Sequence, residues 1–189
     1  MTFSLVGRAL SLVSIVSVGS VACLVASLGL TTPVLAHVTL ESQEAKVDAL
    51  YKGVVRVPHG CESSATTSLR MRIPEGVIGV KPRPKPGWTL STVVAKYPKP
   101  VKLYHAELTE GVVEISWAGG KLPDEWYDEF VFTGYLSSEL QPGKTLYFPV
   151  VQQCEKGVHR WIETPAAGQT RSDMREPAPE LRLLPATRP

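Results

Sequence analysis

The chain has 189 residues, a formal net charge of +2, 43% hydrophobic residues and 20% charged residues. This composition is ordinary for a globular protein, so it excludes a wholly disordered chain, and it offers neither the basic surface that nucleic acid requires nor a strongly acidic one. Sixteen prolines, most of them at the ends of segments, favour an all-β domain with frequent turns.

Residues 1–36 have the tripartite form of a secretory signal peptide. An uncharged run from Ala9 to Leu30 is followed by a short polar stretch that ends in Val34-Leu35-Ala36. This ending has the small-residue pattern after which signal peptidase cuts. The run is long enough to cross a bilayer, so an uncleaved membrane anchor is the alternative. We expect cleavage, a mature chain that begins at His37, and a periplasmic or secreted protein.

Short runs of alternating apolar and polar residues follow the leader and predict β-strands. In the clearest run, Thr66 to Pro74, the side chains of Leu69, Met71 and Ile73 share one face. The other runs are residues 37–41, 52–58, 88–94, 112–117, 129–135, 145–153 and 159–163. Seven or eight strands at this spacing predict an all-β fold, a single-domain β-sandwich.

The predicted domain covers residues 37–167. Residues 168–189 are polar, interrupted by prolines and poor in core-forming side chains. We therefore expect a flexible, proline-rich tail there.

Two of the three cysteines, Cys61 and Cys154, remain once the leader is removed. An even pair in an exported chain predicts a disulfide bond. It would close a loop of about 93 residues, for which the chain-entropy model gives roughly 4 to 5 kcal/mol of stabilisation. The alternative is a pair of thiolate metal ligands.

His37 would be the first residue of the mature chain. An N-terminal histidine offers a metal both its α-amine and its ring Nδ1, which close a six-membered chelate ring suited to Cu(II) or Ni(II). The amine must lose a proton to bind, and its reference pKa is about 7.7 to 8.0, so affinity should fall in acid.

Several segments together resemble the YcnI-type copper-binding domain family, in a subgroup that contains the cysteine pair. They are His37-Val38-Thr39-Leu40, the Val-Pro-x-x-x-Glu-x-x-x-Thr-Thr stretch from Val57 to Thr67, Lys85-Pro86-Gly87-Trp88, Phe130-Val131-Phe132, Phe148-Pro149-Val150 and Arg160-Trp161. The resemblance covers residues 37–166, with the pieces in the family's order. Gly60-Cys61 is an insertion relative to the shorter family form.

The resemblance implies an exported β-sandwich of cupredoxin-like or immunoglobulin-like shape that binds Cu(II) through a single-histidine version of the histidine brace. It implies that His37 supplies amine and imidazole, that Glu62 supplies a carboxylate oxygen, and that Trp161 lies against the copper. Glu41 and Glu44 are the alternative carboxylates.

The other histidines of the mature chain are candidates for a second imidazole. His59 lies in the same motif as Glu62, and strand alternation puts His159 on the same face as Trp161. His105 is a further candidate. Exposed loop histidines and a core tryptophan are the simpler interpretation of these residues.

These observations predict a periplasmic Cu(II)-binding protein, a copper chaperone or buffer in copper homeostasis rather than an enzyme. Its partners would be the copper ion, other periplasmic copper-handling proteins or a membrane copper transporter. The alternatives are a copper-dependent oxidative enzyme, which would need a second histidine, and a metal-free binding or adhesion sandwich. A blue-copper centre is disfavoured, because it needs a free cysteine.

Overall fold

The computed structural model describes residues 37–187, so the predicted signal peptide, residues 1–36, lies outside the described residues. Twelve β-strands and one short 3-10 helix, Arg171–Asp173, are found in the described part. The strands are β1 Thr39–Leu40, β2 Glu44–Lys46, β3 Ala49–Val57, β4 Thr66–Arg72, β5 Val77–Pro82, β6 Thr89–Leu103, β7 Ala106–Leu122, β8 Asp128–Leu136, β9 Thr145–Tyr147, β10 Val150–Cys154, β11 Val158–Trp161 and β12 Glu180–Leu184. Within residues 37–187 no helix is long and apolar enough to cross a membrane.

The strands form three sheets, with the orders β1-β3-β8-β5, β11-β10-β4-β7-β6 and β2-β12-β9. The first two sheets enclose the core. Trp117 of β7 and Phe130 of β8 come from opposite sheets, and their ring centroids lie 5.4 Å apart. Both side chains are fully buried. The predicted all-β sandwich is therefore confirmed.

Local alternation correctly located the strands that build the core. Leu69 and Met71 of β4 are fully buried, while Arg70 between them is exposed. On the opposite sheet, Gly53 of β3 faces the Phe132 ring, and a Cβ at Gly53 would lie 2.2 Å from that ring. The alternation rule thus correctly predicts which face of β4 is buried. At Gly53, glycine is required because the Phe132 ring of the neighbouring strand leaves no space for a Cβ atom.

Strand lengths were predicted less well than strand positions. The predicted strands 88–94 and 112–117 are parts of one long hairpin of 15-residue β6 and 17-residue β7. The predicted strand 145–153 is two strands, since β9 pairs with β12 and β10 pairs with β4. Strand β5 was missed because its apolar run is interrupted by Gly79, which has a positive φ of 58°.

The prediction that residues 168–189 form a flexible tail is wrong for residues 168–187. Strand β12 pairs in parallel with β2 and antiparallel with β9. Leu181 and Leu183 of β12 are buried in the core, and Ala178 and Met174 before it are also buried. The local pattern of this segment is too short and too polar to predict a strand. Its few apolar residues are buried by strands distant in the sequence, which a local pattern does not reveal.

Candidate metal centre

A disulfide bond between Cys61 and Cys154 joins the loop after β3 to the end of β10. The two Cα atoms are 6.0 Å apart, and both residues are buried. The loop itself is a tight turn, in which Cys61 N–H donates to Ser64 O at 2.8 Å and Ser64 N–H donates to Cys61 O at 2.9 Å. The predicted disulfide is confirmed, and the alternative of two thiolate metal ligands is wrong.

Gln152, a fully buried residue of β10, connects this loop to β11. Its side-chain Nε2 donates to the backbone oxygen of His59 at 2.7 Å and to Thr66 Oγ1 at 2.8 Å. Its Oε1 accepts the indole N–H of Trp161 at 2.9 Å. A buried amide with these partners holds both neighbours in place. The sequence analysis missed Gln152, although a glutamine alternating with Val150 and Cys154 on the buried face of a strand was a usable signal.

The ring of His37 lies beside the ring of Trp161, with centroids 5.5 Å apart and planes tilted by 58°. Trp161 is almost fully buried, at 3% exposure. The Nε2 atom of His37 is also buried and has no hydrogen-bond partner within the described part of the chain. The structure thus brings together the predicted N-terminal ligand and the predicted metal-adjacent tryptophan.

His159 also lies close to this indole. The ring centroids of His159 and Trp161 are 4.9 Å apart, with the planes tilted by 32°. The Nδ1 atom of His159 lies 2.7 Å from Oε1 of Glu176. Because a carboxylate oxygen accepts, Nδ1 of His159 is the donor and carries a proton here. Glu176 belongs to the segment that the sequence analysis assigned to a flexible tail, so no local signal connected it with the site.

His59 is close to both other histidines. Its ring centroid lies 6.2 Å from that of His159, with nearly perpendicular planes. Its Nδ1 lies 2.6 Å from the backbone oxygen of Gly60, which can only accept, so this nitrogen carries a proton. We call His37, His59, His159 and Trp161 the histidine cluster.

The surroundings of His37 favour its neutral imidazole. Burial is the largest cause that lowers its pKa, and electrostatic interactions with Arg171 and His59 lower it further. Burial and nearby like charges both disfavour the protonated ring. The neutral ring is the form that binds metals.

Glu62 lies on the turn that follows His59. It is exposed, has a positive φ of 48° and occupies the turn between Cys61 and Ser64. Its carboxylate takes part in none of the hydrogen bonds or ion pairs found among residues 37–187. Of the alternative carboxylates, Glu44 is engaged by the Arg182 guanidinium on an exposed surface. Among residues 37–187, no hydrogen bond or ion pair joins His37 to Glu62, Glu41 or Glu44.

Two clefts approach the cluster. One of about 470 Å³ is lined by His37, Thr39, Arg56, Pro58 and Tyr127. The other, of about 420 Å³, is lined by His159, Trp161, Glu163, Arg175 and Glu176. In the described range, however, no three side chains of His, Cys, Asp or Glu meet closely enough to hold a metal ion in this form.

The fold and this site define the class of protein as a disulfide-linked β-sandwich with clustered histidines. Residues 37–183 match the family model described as a domain of unknown function, DUF1775. The chain belongs to this family, which is the YcnI-type family that the sequence resembles.

A solved structure gives the same fold. It is the crystal structure of an uncharacterized protein from Nocardia farcinica, described as having an immunoglobulin-like fold. The match covers 78% of this chain and 98% of that one, with 25% identity and a TM-score of 0.57. No curated protein matches the chain. The comparisons therefore establish family and fold without assigning a ligand.

Proposed function

We propose that this protein binds Cu(II) outside the cytoplasm and serves as a copper chaperone or buffer, with His37 as the first residue of the mature chain. The observation that carries the proposal is the position of His37. Its imidazole lies against the buried Trp161 indole, and its surroundings lower the ring pKa. A neutral ring beside a hydrophobic wall is available to a metal and partly shielded from water.

Signal cleavage would create the second donor atom. The free α-amine of His37 and its Nδ1 would together chelate the copper ion. In an intact precursor the backbone nitrogen of His37 is part of a peptide bond and cannot bind the copper ion. Export and processing would therefore activate the site.

The disulfide supports an extracytoplasmic location. Cytosolic thiols are kept reduced, and a bond such as Cys61–Cys154 persists in oxidising compartments. Copper donors and acceptors would be other periplasmic copper-handling proteins or a membrane transporter.

The carboxylate ligand can be tested independently of the His37 chelate. Glu62 is the proposed oxygen donor, and an exposed side chain on a turn is free to change rotamer. Glu62→Gln tests this part alone, because it removes the charge and leaves the turn unchanged in size. An unchanged affinity of this variant for Cu(II) would remove Glu62 from the site and leave the His37 chelate untouched.

The decisive experiment compares the mature protein that begins at His37 with the same protein carrying one extra glycine before His37. Circular dichroism checks that both are equally folded. We expect the extended form to bind Cu(II) much more weakly in a competition assay with a chromophoric chelator, because its ring has lost the neighbouring amine. Equal affinities would refute the chelate. If electron paramagnetic resonance with one equivalent of Cu(II) shows only the aqueous ion, the protein is a metal-free binding module.

A further inference from the structure

We propose that two copies of this protein form a dimer by pairing their β6 strands edge to edge, through residues 89–95. The inference goes beyond the proposed function and does not depend on copper. β6 is the last strand of the sheet β11-β10-β4-β7-β6, so within residues 37–187 it is paired only on its side towards β7. The other side presents backbone N–H and C=O groups that a further strand can bind. We call residues 89–95 the open edge.

The open edge lacks the features that keep edge strands from pairing. Its sequence, Thr-Leu-Ser-Thr-Val-Val-Ala, contains no charged residue and no proline. Lysine, proline and irregular geometry are the usual means by which proteins prevent edge-to-edge pairing. Threonine and valine are also β-branched residues that favour strands and cross-strand contacts. The segment is therefore well suited to accept another strand.

The second half of the same strand is protected. Its pairing with β7 is interrupted after Lys96 and resumes at Val101. The open edge pairs with β7 without such a gap, because the one unmatched residue of the hairpin there, Val113, lies on β7. The protected half also contains three lysines and two prolines, which are Lys96, Pro98, Lys99, Pro100 and Lys102.

The open edge is accessible on both faces of the sheet. Val93 is 50% exposed and Val94 is 54% exposed. Adjacent residues of a strand point to opposite faces, so neither face is covered here by the rest of residues 37–187. Ser91 and Thr92 are exposed as well. A second strand at this edge would shield part of both valine side chains from water.

The other edge strands of the described part of the chain are less suited to pairing. β1, β2, β9 and β11 are only two to four residues long. β5 has six residues, but it contains Lys81 and Pro82, and Gly79 within it has a positive φ of 58°. The open edge of β6 is thus the one long, regular and uncharged edge among residues 37–187.

A second copy of the chain is the partner that the charge distribution favours. A two-fold axis at Thr92 would place residues 89–91 opposite residues 95–93 of the other copy, with the two Thr92 residues facing each other. Opposite residues then lie on the same face of the joined sheet, as antiparallel pairing requires. No like charges meet along this contact, because the open edge has none.

The dimer would leave the candidate metal centre accessible. β11, which carries His159 and Trp161, is the opposite edge strand of the same sheet. In a joined sheet of ten strands, the two β11 strands would be nine spacings of about 4.8 Å apart, on the order of 40 Å. Dimerisation and Cu(II) binding can therefore be measured separately, and failure of either leaves the other standing.

Sedimentation velocity of the metal-free mature protein tests the dimer. Seven paired residues make a small interface, so we expect a weak dimer whose population rises between about 10 μM and 1 mM protein. Thr92→Lys would bring two ammonium groups together and should raise the dissociation constant at least about tenfold. Thr109→Lys is the matched control, because it adds the same charge at an exposed position of β7. It should dimerise like the unmodified protein.

Two results of this experiment would overturn the inference. A protein that stays monomeric throughout the concentration range does not pair with itself, and the open edge would then be left for a strand of another protein. Equal dissociation constants of Thr92→Lys and Thr109→Lys would place the contact elsewhere.

Cross-linking identifies the edge directly. Cys61 and Cys154 are joined in a disulfide, so Thr92→Cys introduces the one free thiol of the described residues. Facing residues of an antiparallel pair have Cβ atoms about 4.5 to 5.5 Å apart, a separation that disulfide formation can close. We expect oxidised glutathione to yield a covalent dimer of Thr92→Cys and none of Thr109→Cys. A dimer that Thr92→Cys does not cross-link would use another surface and refute the proposed pairing.

Discussion

His37 and Trp161 lie with ring centroids 5.5 Å apart, although 124 positions separate them in the sequence. Trp161 is held by the hydrogen bond from its indole to Gln152, and His37 lies two residues before the first residue of the short strand β1. The expected start of the mature chain therefore lies against the indole of Trp161. The contribution of the Trp161–Gln152 hydrogen bond to stability can be measured without any metal.

The bond between Trp161 and Gln152 should contribute measurably to folding. Trp161→Phe removes the donor and leaves Gln152 Oε1 buried without its partner, so we expect a loss of about 1 to 3 kcal/mol in the free energy of unfolding. Urea denaturation measures the loss, with Trp126→Phe as the control, since Trp126 is 65% exposed. In a double-mutant cycle with Gln152→Leu, a coupling of about 0.5 to 3 kcal/mol is expected. Simple additivity would contradict the contact.

Removal of the disulfide should weaken both the fold and the site. Replacing Cys61 and Cys154 by alanine releases the loop closed by this bond, and we expect a loss of roughly 2 to 5 kcal/mol in the free energy of unfolding. The same loop carries the proposed oxygen donor Glu62, so Cu(II) affinity should also fall. Denaturation of the unmodified protein with and without a reductant provides the matched comparison. A denaturation midpoint that does not respond to the reductant would show that the bond is absent in solution.

Strand β12 should be part of the cooperative core. Leu181 is fully buried, so Leu181→Ala should lower the free energy of unfolding by about 2 to 5 kcal/mol. Leu50→Ala is the control, because Leu50 is 67% exposed and its loss should change stability by less than about 0.5 kcal/mol. Equal stability of the two variants would restore the flexible tail predicted from sequence.

Tyr135 should make the protein sensitive to alkali. Its hydroxyl donates to Asp48 at 2.8 Å, and this bond, with a smaller effect of burial, raises the pKa of Tyr135 to about 12. The unfolded chain ionises near pH 10. A raised folded-state pKa stabilises the fold fully below pH 10, and this stabilisation is lost as the pH rises from 10 to 12.

Thermal unfolding from pH 8 to 12 checks the effect of Tyr135. Tyr135→Phe should melt at a lower temperature than the unmodified protein at pH 8, and the difference should shrink towards pH 12. Tyr127→Phe, at an exposed position, is the control and should melt like the unmodified protein at every pH. A difference that is constant with pH would rule out the Asp48 bond as its cause.

The sequence by itself determined what depends on local chemistry. Alternation over a few residues was enough to locate the buried face of β4, because side chains of a strand point to opposite faces in turn. The even cysteine pair in an exported chain predicted the disulfide, because oxidising compartments favour it. The position of His37 after a cleavage pattern predicted an N-terminal ligand, and the resemblance added Trp161 as its neighbour.

Only the tertiary structure decided which distant residues meet. Leu181 becomes part of the core because β12 pairs with β2 and β9. Glu176 contacts His159 because its carboxylate lies beside β11, where it also accepts the backbone N–H of Arg160. Sheet pairing brings such residues together although they are far apart in the sequence. The local pattern of hydrophobicity does not indicate which strand a segment pairs with. For the same reason Glu62, chosen from a linear motif, stays on an exposed turn, while His59, three residues earlier, lies among the histidines.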